Sequence, residues 1–305
     1  MDALVAACIV GIVGGIVGSL FIRVNNRVNI IRKKLLGTNK KLKVLEACIL
    51  VAITATAFFV SAYYRPCRND NDPTDALVIQ KIHTMKFNCP EGQYNRLATL
   101  FFNGQATVLK IFMANGNSFN PVNIAIFLGN WIFFTYITSG TAVPLGIFLP
   151  CMIIGCAIGH LYHPFHVLMF PYNDFPSNEM NSETISILGA VAVLSGATRM
   201  TFCLAVIMLE TTSNMDLFLP IIFTLFCSYG SGFIFNSRSI YKGALRSKNI
   251  PIINKSVPKV NRNLQTPSFM SSPVISFNFI VSVEQVYYQL SNTSFNGFPV
   301  TNAKG

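Results

Sequence analysis

The amino-acid sequence predicts an all-α polytopic membrane protein with broken, tilted helices, followed by a partial α+β domain. Of the 305 residues, 51% are hydrophobic and only 11% charged, less than half the charged share of about 25% in a soluble domain. The apolar residues gather at about 3–22, 44–62, 121–138, 145–161, 184–209 and 217–235, and several of these segments are marginal against the ~20 residues that a span requires. Between the third and fourth lies GTAVPLGIFLP, where Gly140, Pro144, Gly146 and Pro150 interrupt helix at a depth where lipid would surround it. A break there is tolerated only where the freed backbone lines a cavity or is buried in protein.

The first segment has no positive charge ahead of it and stays apolar to Ile22, so it reads as a spanning helix and not as a signal peptide. Gly11, Gly14, Gly15 and Gly18 lie three and four apart, a spacing that lets helix backbones approach closely. Arg23, Arg27, Arg32, Lys33, Lys34, Lys40, Lys41 and Lys43 predict a cytosolic loop over 23–43. That cluster accounts for much of the net charge of +11 without nucleic acid, since no aromatic residues interleave with the basic ones as a base-stacking surface needs.

The second segment then carries the chain outward and places the polar stretch 65–95 on the lumenal or exterior side, where disulfides persist. Cys67 and Cys89 flank it, either bridged or as two free thiols. The other six cysteines lie in apolar stretches and read as small buried hydrophobes. His160, His163 and His166 follow an apolar run and read as interfacial, because Pro164 is expected to break the helix that would align them on a metal.

After 217–235 the sequence SRSIYKGALRSKNIPIINKSVPK is basic and proline-punctuated, which suits an exit into the cytosol. In the tail, SPVISFN and NGFPVTN read as strands around the helix SVEQVYYQLSN, whose Ser282 and Gln285 have the spacing of a capping box. The expected division is a membrane domain over 1–250 and a linker with a partial β-α-β domain over 251–305.

Enzyme chemistry finds little footing. HExxH, paired-cysteine, P-loop and G-x-S-x-G patterns are all missing from the sequence, so no catalytic residue, metal or cofactor is expected. The break at 140–150 admits two readings. One is a proline kink between two ordinary helices. The other is a helix that starts inside the membrane, its first N–H groups unpaired and its dipole positive, so that Ile147 and Phe148 would donate to a small anion.

GTAVPLGIFLPCMIIGCAIGHLY resembles the segment of the CLC family of chloride channels and proton-coupled anion exchangers that carries its G-x-F-x-P motif, here Gly146, Phe148 and Pro150. GATRMTFCLAVIMLETTSN is similar to the family's helix with Arg199, Met200, Thr201, Glu210 and Thr211, and FNCPEGQYNRLATLFFN to a loop of plant-type and organellar members. FNSRSIYKGALRSKNIP resembles the last membrane helix, and MSSPVISFNFIVSVEQVYYQLSNTSFNGFPV the first half of a CBS domain pair.

The resemblance implies the CLC-type fold and transport of chloride or nitrate, as a channel or an anion/proton antiporter. It assigns the central anion to the N–H groups of Ile147 and Phe148 and to the hydroxyl of Tyr241, which read alone would be an interfacial aromatic. Gly146 and Pro150 support the motif. Arg199 and Glu210, about three helical turns apart on one face, are expected to be structural, in helices of a dimer interface. A homodimer in lipid, a vacuolar or other endomembrane location and a cytosolic CBS tail are also implied, with an adenine nucleotide only for a complete CBS pair. The family's G-S-G-I-P and G-K-E-G-P motifs do not occur in this sequence, so an incomplete gene model or a fragment is the expected account. The alternative is a non-conducting fragment or regulatory membrane protein that keeps the anion site and the CBS tail.

Overall fold

Val24, Val28, Ile31 and Leu35 recur at helical spacing among the basic residues, and Arg and Lys are themselves good helix formers. The first helix, α1 (Asp2–Leu36), therefore continues through the basic cluster and stops only at Gly37, whose φ of +53° suits a helix end. The cytosolic loop expected over 23–43 shrinks to residues 37–39, after which α2 (Lys40–Tyr63) begins. At about 1.5 Å per residue, α1 is longer than the ~30 Å hydrocarbon core, so its basic end has room to project beyond it. The computed structural model describes residues 2–37, 39–69, 85–114, 120–169, 182–247, 250, 265–268, 270 and 272–302.

Beyond α2, Cys67 and Cys89 form a disulfide with Cα atoms 5.8 Å apart. Beside it β1 (Arg68–Asn69) pairs antiparallel with β2 (Gln93–Tyr94). Two short helices follow that the hydropathy pattern did not reveal, α3 (Arg96–Phe102) and α4 (Gln105–Ala114). Asn95 starts the first of them. Its Oδ1 accepts from the N–H groups of Leu97 and Ala98 at 3.0 and 3.1 Å, and its Nδ2 donates to the Ala62 carbonyl at 2.9 Å, tying the end of α2 to the start of α3.

The next helix, α5 (Pro121–Thr138), has the predicted bounds, with Asn120 as cap and Pro121 in the first turn. It is followed by α6 (Phe148–Met169). Pro164 lies inside α6 and does not end it, contrary to the expectation from sequence. His160 and His166 are buried within the protein, and His160 Nε2 lies 2.9 Å from the Phe112 carbonyl. Among the described residues no group of three His, Cys, Asp or Glu side chains is placed to hold a metal.

The segment expected over 184–209 divides into α7 (Ser182–Thr198) and α8 (Phe202–Thr212) at Arg199, which has a φ of +62°. Arg199 and Glu210 consequently do not share one helix face. The Arg199 guanidinium instead donates to the carbonyls of Tyr229 and Asn236, at 3.0 and 2.8 Å, near the C-terminal end of α9 (Phe218–Phe235). Gly232 leaves the space that this guanidinium occupies. Arg23 adds a bond of 2.6 Å to the Phe235 carbonyl, so two cations satisfy carbonyls that the end of α9 leaves open. The unit closes with α10 (Ile240–Ser247), where Gly243 packs against Asn26 of α1.

Helix α7 is almost wholly buried and is the centre of the core, with α1 and α6 packed against it. Close approach is possible because glycines meet backbone there. A Cβ at Gly14 would strike Ala192, and one at Gly155 would strike the Gly189 carbonyl. Gly155→Leu should therefore cost about 1–3 kcal/mol or more by overpacking. The check is the thermal midpoint of the detergent-purified protein, and a midpoint equal to that of the parent would refute the tight crossing.

Five helices among the described residues are long and apolar enough to cross a membrane. Residues 1–251 form one compact unit and residues 252–305 a second. In the second unit β3 (Phe277–Asn278) pairs parallel with β4 (Val300–Thr301), Phe277 opposite Val300, with α11 (Val283–Asn292) between them in sequence. The β-α-β order is the predicted one. Ser282 caps α11 by position, but its side chain makes no capping hydrogen bond, so the predicted capping box does not form.

Candidate functional site

The break between α5 and α6 is held from outside by the last turns of α1. The Arg32 guanidinium donates through Nη2 to the Ile137 carbonyl at 2.8 Å and through Nη1 to the Ser139 carbonyl at 3.3 Å. Nε of the same side chain pairs with Glu46 of α2 at 2.5 Å, and Nη1 also reaches Asn29 Oδ1 at 3.3 Å. Carbonyls at the end of α5 are thus bonded to a cation whose charge is balanced by a carboxylate. Gly140 follows with a φ of +89°, packed so closely on the Asn29 amide that a side chain there would collide with it. Left-handed backbone and lack of space both call for glycine at this position.

After the intervening loop, α6 starts at Phe148, and its first internal bond runs from the Cys151 N–H to the Ile147 carbonyl at 3.2 Å. The N–H groups of Ile147, Phe148 and Leu149 have no hydrogen-bond partner among the described residues. Pro150 has no N–H to leave open, so proline at the third helical position costs the helix no bond. The unpaired donors border a pocket of about 420 Å³ lined by residues 145–150 together with Thr135, Thr138 and Ser139 of α5 and its end, and by Phe58 and Trp131. Its walls are mainly apolar, which suits dipolar donors aimed at a weakly hydrated ion better than a fixed cation.

Of the residues singled out from the sequence, Gly146, Ile147, Phe148 and Pro150 come together at this pocket. Ile147 is partly buried against the core, Phe148 is 36% exposed, and Gly146 faces open space. Tyr241 lies on α10, half-exposed, and is not among the residues lining the pocket. Sequence reasoning missed Arg32, Glu46, Asn29 and Ser139. The first three stand far from the break in the chain, and Ser139 lies one residue before the glycine and proline cluster that drew attention.

Several apolar helices, two of which meet at an interrupted segment with unpaired N–H groups, define a multi-pass integral membrane protein in contact with lipid. Residues 1–232 match the family described as "Voltage gated chloride channel". The chain belongs to that family. It is 27% identical to "Chloride channel protein C" of Dictyostelium discoideum over 98% of its length and 39% of the relative's. It is 30% identical to "H(+)/Cl(-) exchange transporter 7" of Mus musculus, over 97% of its length and 36% of that protein's. With "Chloride channel protein CLC-d" of Arabidopsis thaliana the figures are 31%, 97% and 38%. The chain thus spans under two-fifths of the length of these relatives. A solved structure titled "Crystal Structure of a eukaryotic CLC transporter" superposes with a TM-score of 0.54 at 19% identity, over 99% of this chain and 46% of the other, and confirms the fold.

Proposed function

We propose that this chain supplies the second half of a CLC-type membrane domain and one wall of an anion site, through which chloride or a similar small anion crosses the membrane. The observation that carries the reading is the row of unpaired N–H groups at Ile147, Phe148 and Leu149, at a helix start that borders a mostly apolar pocket. An anion entering there exchanges water for fixed N–H dipoles and meets no lysine or arginine lining the pocket that would hold it too tightly to leave. The chemistry is ion transfer, with no covalent step and no cofactor. Tyr241 is proposed as a further donor when the anion path is complete.

The homodimer reading rests on the family alone. Residues 251–305 are proposed as a linker and the start of a cytosolic CBS domain, on the parallel β-α-β arrangement of residues 277–301. The vacuolar or endomembrane location rests on the likeness of the loop containing Cys89 to plant-type and organellar members, and nitrate as a second ion on the family alone.

The test is anion flux from proteoliposomes holding the full-length gene product, read with a chloride electrode. Release well above that of protein-free vesicles is expected. A folded, inserted protein that releases no more than empty vesicles would overturn the reading.

A further inference from the structure

We propose that Cys8 of α1 and Cys227 of α9 form a reversible disulfide that staples the two helices together under oxidising conditions. The proposal is independent of the anion-site reading. Six cysteines among the described residues are free, and these two alone touch each other through sulfur. The Cys227 thiol donates to Cys8 Sγ at 3.4 Å, between positions 219 residues apart in sequence. Both side chains are partly exposed, whereas Cys151 and Cys156 are buried.

The backbone brings the two sulfurs together. Gly11, one turn after Cys8, faces α9 so closely that a Cβ there would stand 2.9 Å from both the Cys227 Cβ and the Thr224 carbonyl oxygen. Gly15, a turn further on, makes the same close approach to Ser228. Beyond it Arg23 donates to the Phe235 carbonyl, so the contact of α1 with α9 is held over about four turns after Cys8. A disulfide requires sulfurs about 2.05 Å apart. Cys8 and Cys227 must therefore close by about 1.4 Å, or about 0.7 Å each, which small χ1 adjustments of two side chains can reach. At their present separation no atom fits between them.

Both residues lie in apolar spanning helices, so the oxidant has to be small and uncharged, and hydrogen peroxide meets that requirement. One sulfur attacks a peroxide oxygen and the O–O bond breaks. The thiol proton leaves with the departing hydroxide as water, and a sulfenic acid remains. The second sulfur then attacks the sulfenic sulfur, its S–H bond breaks, and the hydroxyl leaves as a second water. Each sulfur is oxidised by one electron, and both peroxide oxygens are reduced to water. Because the second sulfur is already in contact, bond formation is favoured over further oxidation of the first. A small dithiol reverses the bond by exchange.

The experiment is a peroxide titration of the protein in lipid nanodiscs, on the parent and on Cys8→Ser, followed by denaturation, blocking of free thiols with N-ethylmaleimide, digestion and mass spectrometry. Peroxide is raised until half of Cys48, an exposed free thiol, no longer takes the maleimide, and the Cys67–Cys89 disulfide serves as the linked standard. At that dose a peptide pair joined through Cys8 and Cys227 is expected to account for most of both residues. It should vanish when dithiothreitol precedes blocking, and be missing from Cys8→Ser. The thermal midpoint of the parent is expected to rise on oxidation, and that of Cys8→Ser to stay where it was. Recovery of Cys8 and Cys227 as separate maleimide adducts or separate sulfinic acids overturns the proposal, and so does a linked pair that leaves the midpoint of the parent unmoved.

Discussion

Phe148→Pro is expected to weaken chloride binding roughly ten- to a hundredfold, while Phe148→Ala keeps it within a few-fold. Proline at the first helical position has its φ already set for a helix and gives up an N–H that has no intrahelical use. It also restricts the preceding residue to the extended region, where a helix cap ordinarily sits. The substitution therefore removes one donor from the site at little cost to α6. A hydrogen bond to a charged partner contributes about 1.5–3 kcal/mol, which corresponds to a loss of roughly ten- to a hundredfold in affinity. Alanine removes the ring but keeps the N–H, and so separates the loss of a side chain from the loss of a donor. Equal chloride affinities for the two variants would show that the backbone at Phe148 is not a ligand.

The second large effect is expected at Arg32. Arg32→Leu should destabilise the protein by an amount near the lower end of the about 3–5 kcal/mol seen when one member of a buried pair is removed. Glu46 would lose its counter-charge, and the carbonyls of Ile137 and Ser139 would lose a donor. The lower end applies because the Glu46 side chain is 21% exposed and can recover some hydration. Adding Glu46→Gln to Arg32→Leu should restore part of the loss by removing the unpaired carboxylate, but not the part that comes from the carbonyls. Denaturation midpoints of the parent, the two single variants and the double variant would separate these contributions. Additive effects of the two substitutions would mean that the pair contributes nothing as a pair.

Much of the fold was legible because hydropathy and helix punctuation agree along most of the chain. The bounds of α5 follow from Asn120, Pro121 and a mainly apolar run, and the start of α6 from Gly146 and Pro150. The reading was weakest where two signals competed. Charge marked 23–43 as a loop, but the apolar residues interleaved over its first part keep α1 helical to Leu36, and the helix proved the stronger pattern. The chain breaks at Arg199 into two helices, with Gly196 the one helix-weakening residue nearby, and the Arg199 guanidinium serves the end of α9. Helices α3 and α4 are too short for a span and sit beside polar sequence, so a hydropathy reading passes over them. In the candidate site the G-x-F-x-P residues were legible locally. Ser139 and Arg32 were not, since what marks them is a missing partner in one case and a contact across 107 residues in the other.

That distant contact bears on the order in which the protein is made. Synthesis delivers Arg32 107 residues before Ser139, so the guanidinium and the Asn29 amide on which the bend packs are made before the bend itself. The bend needs both its own glycine and a surface supplied by a helix made earlier.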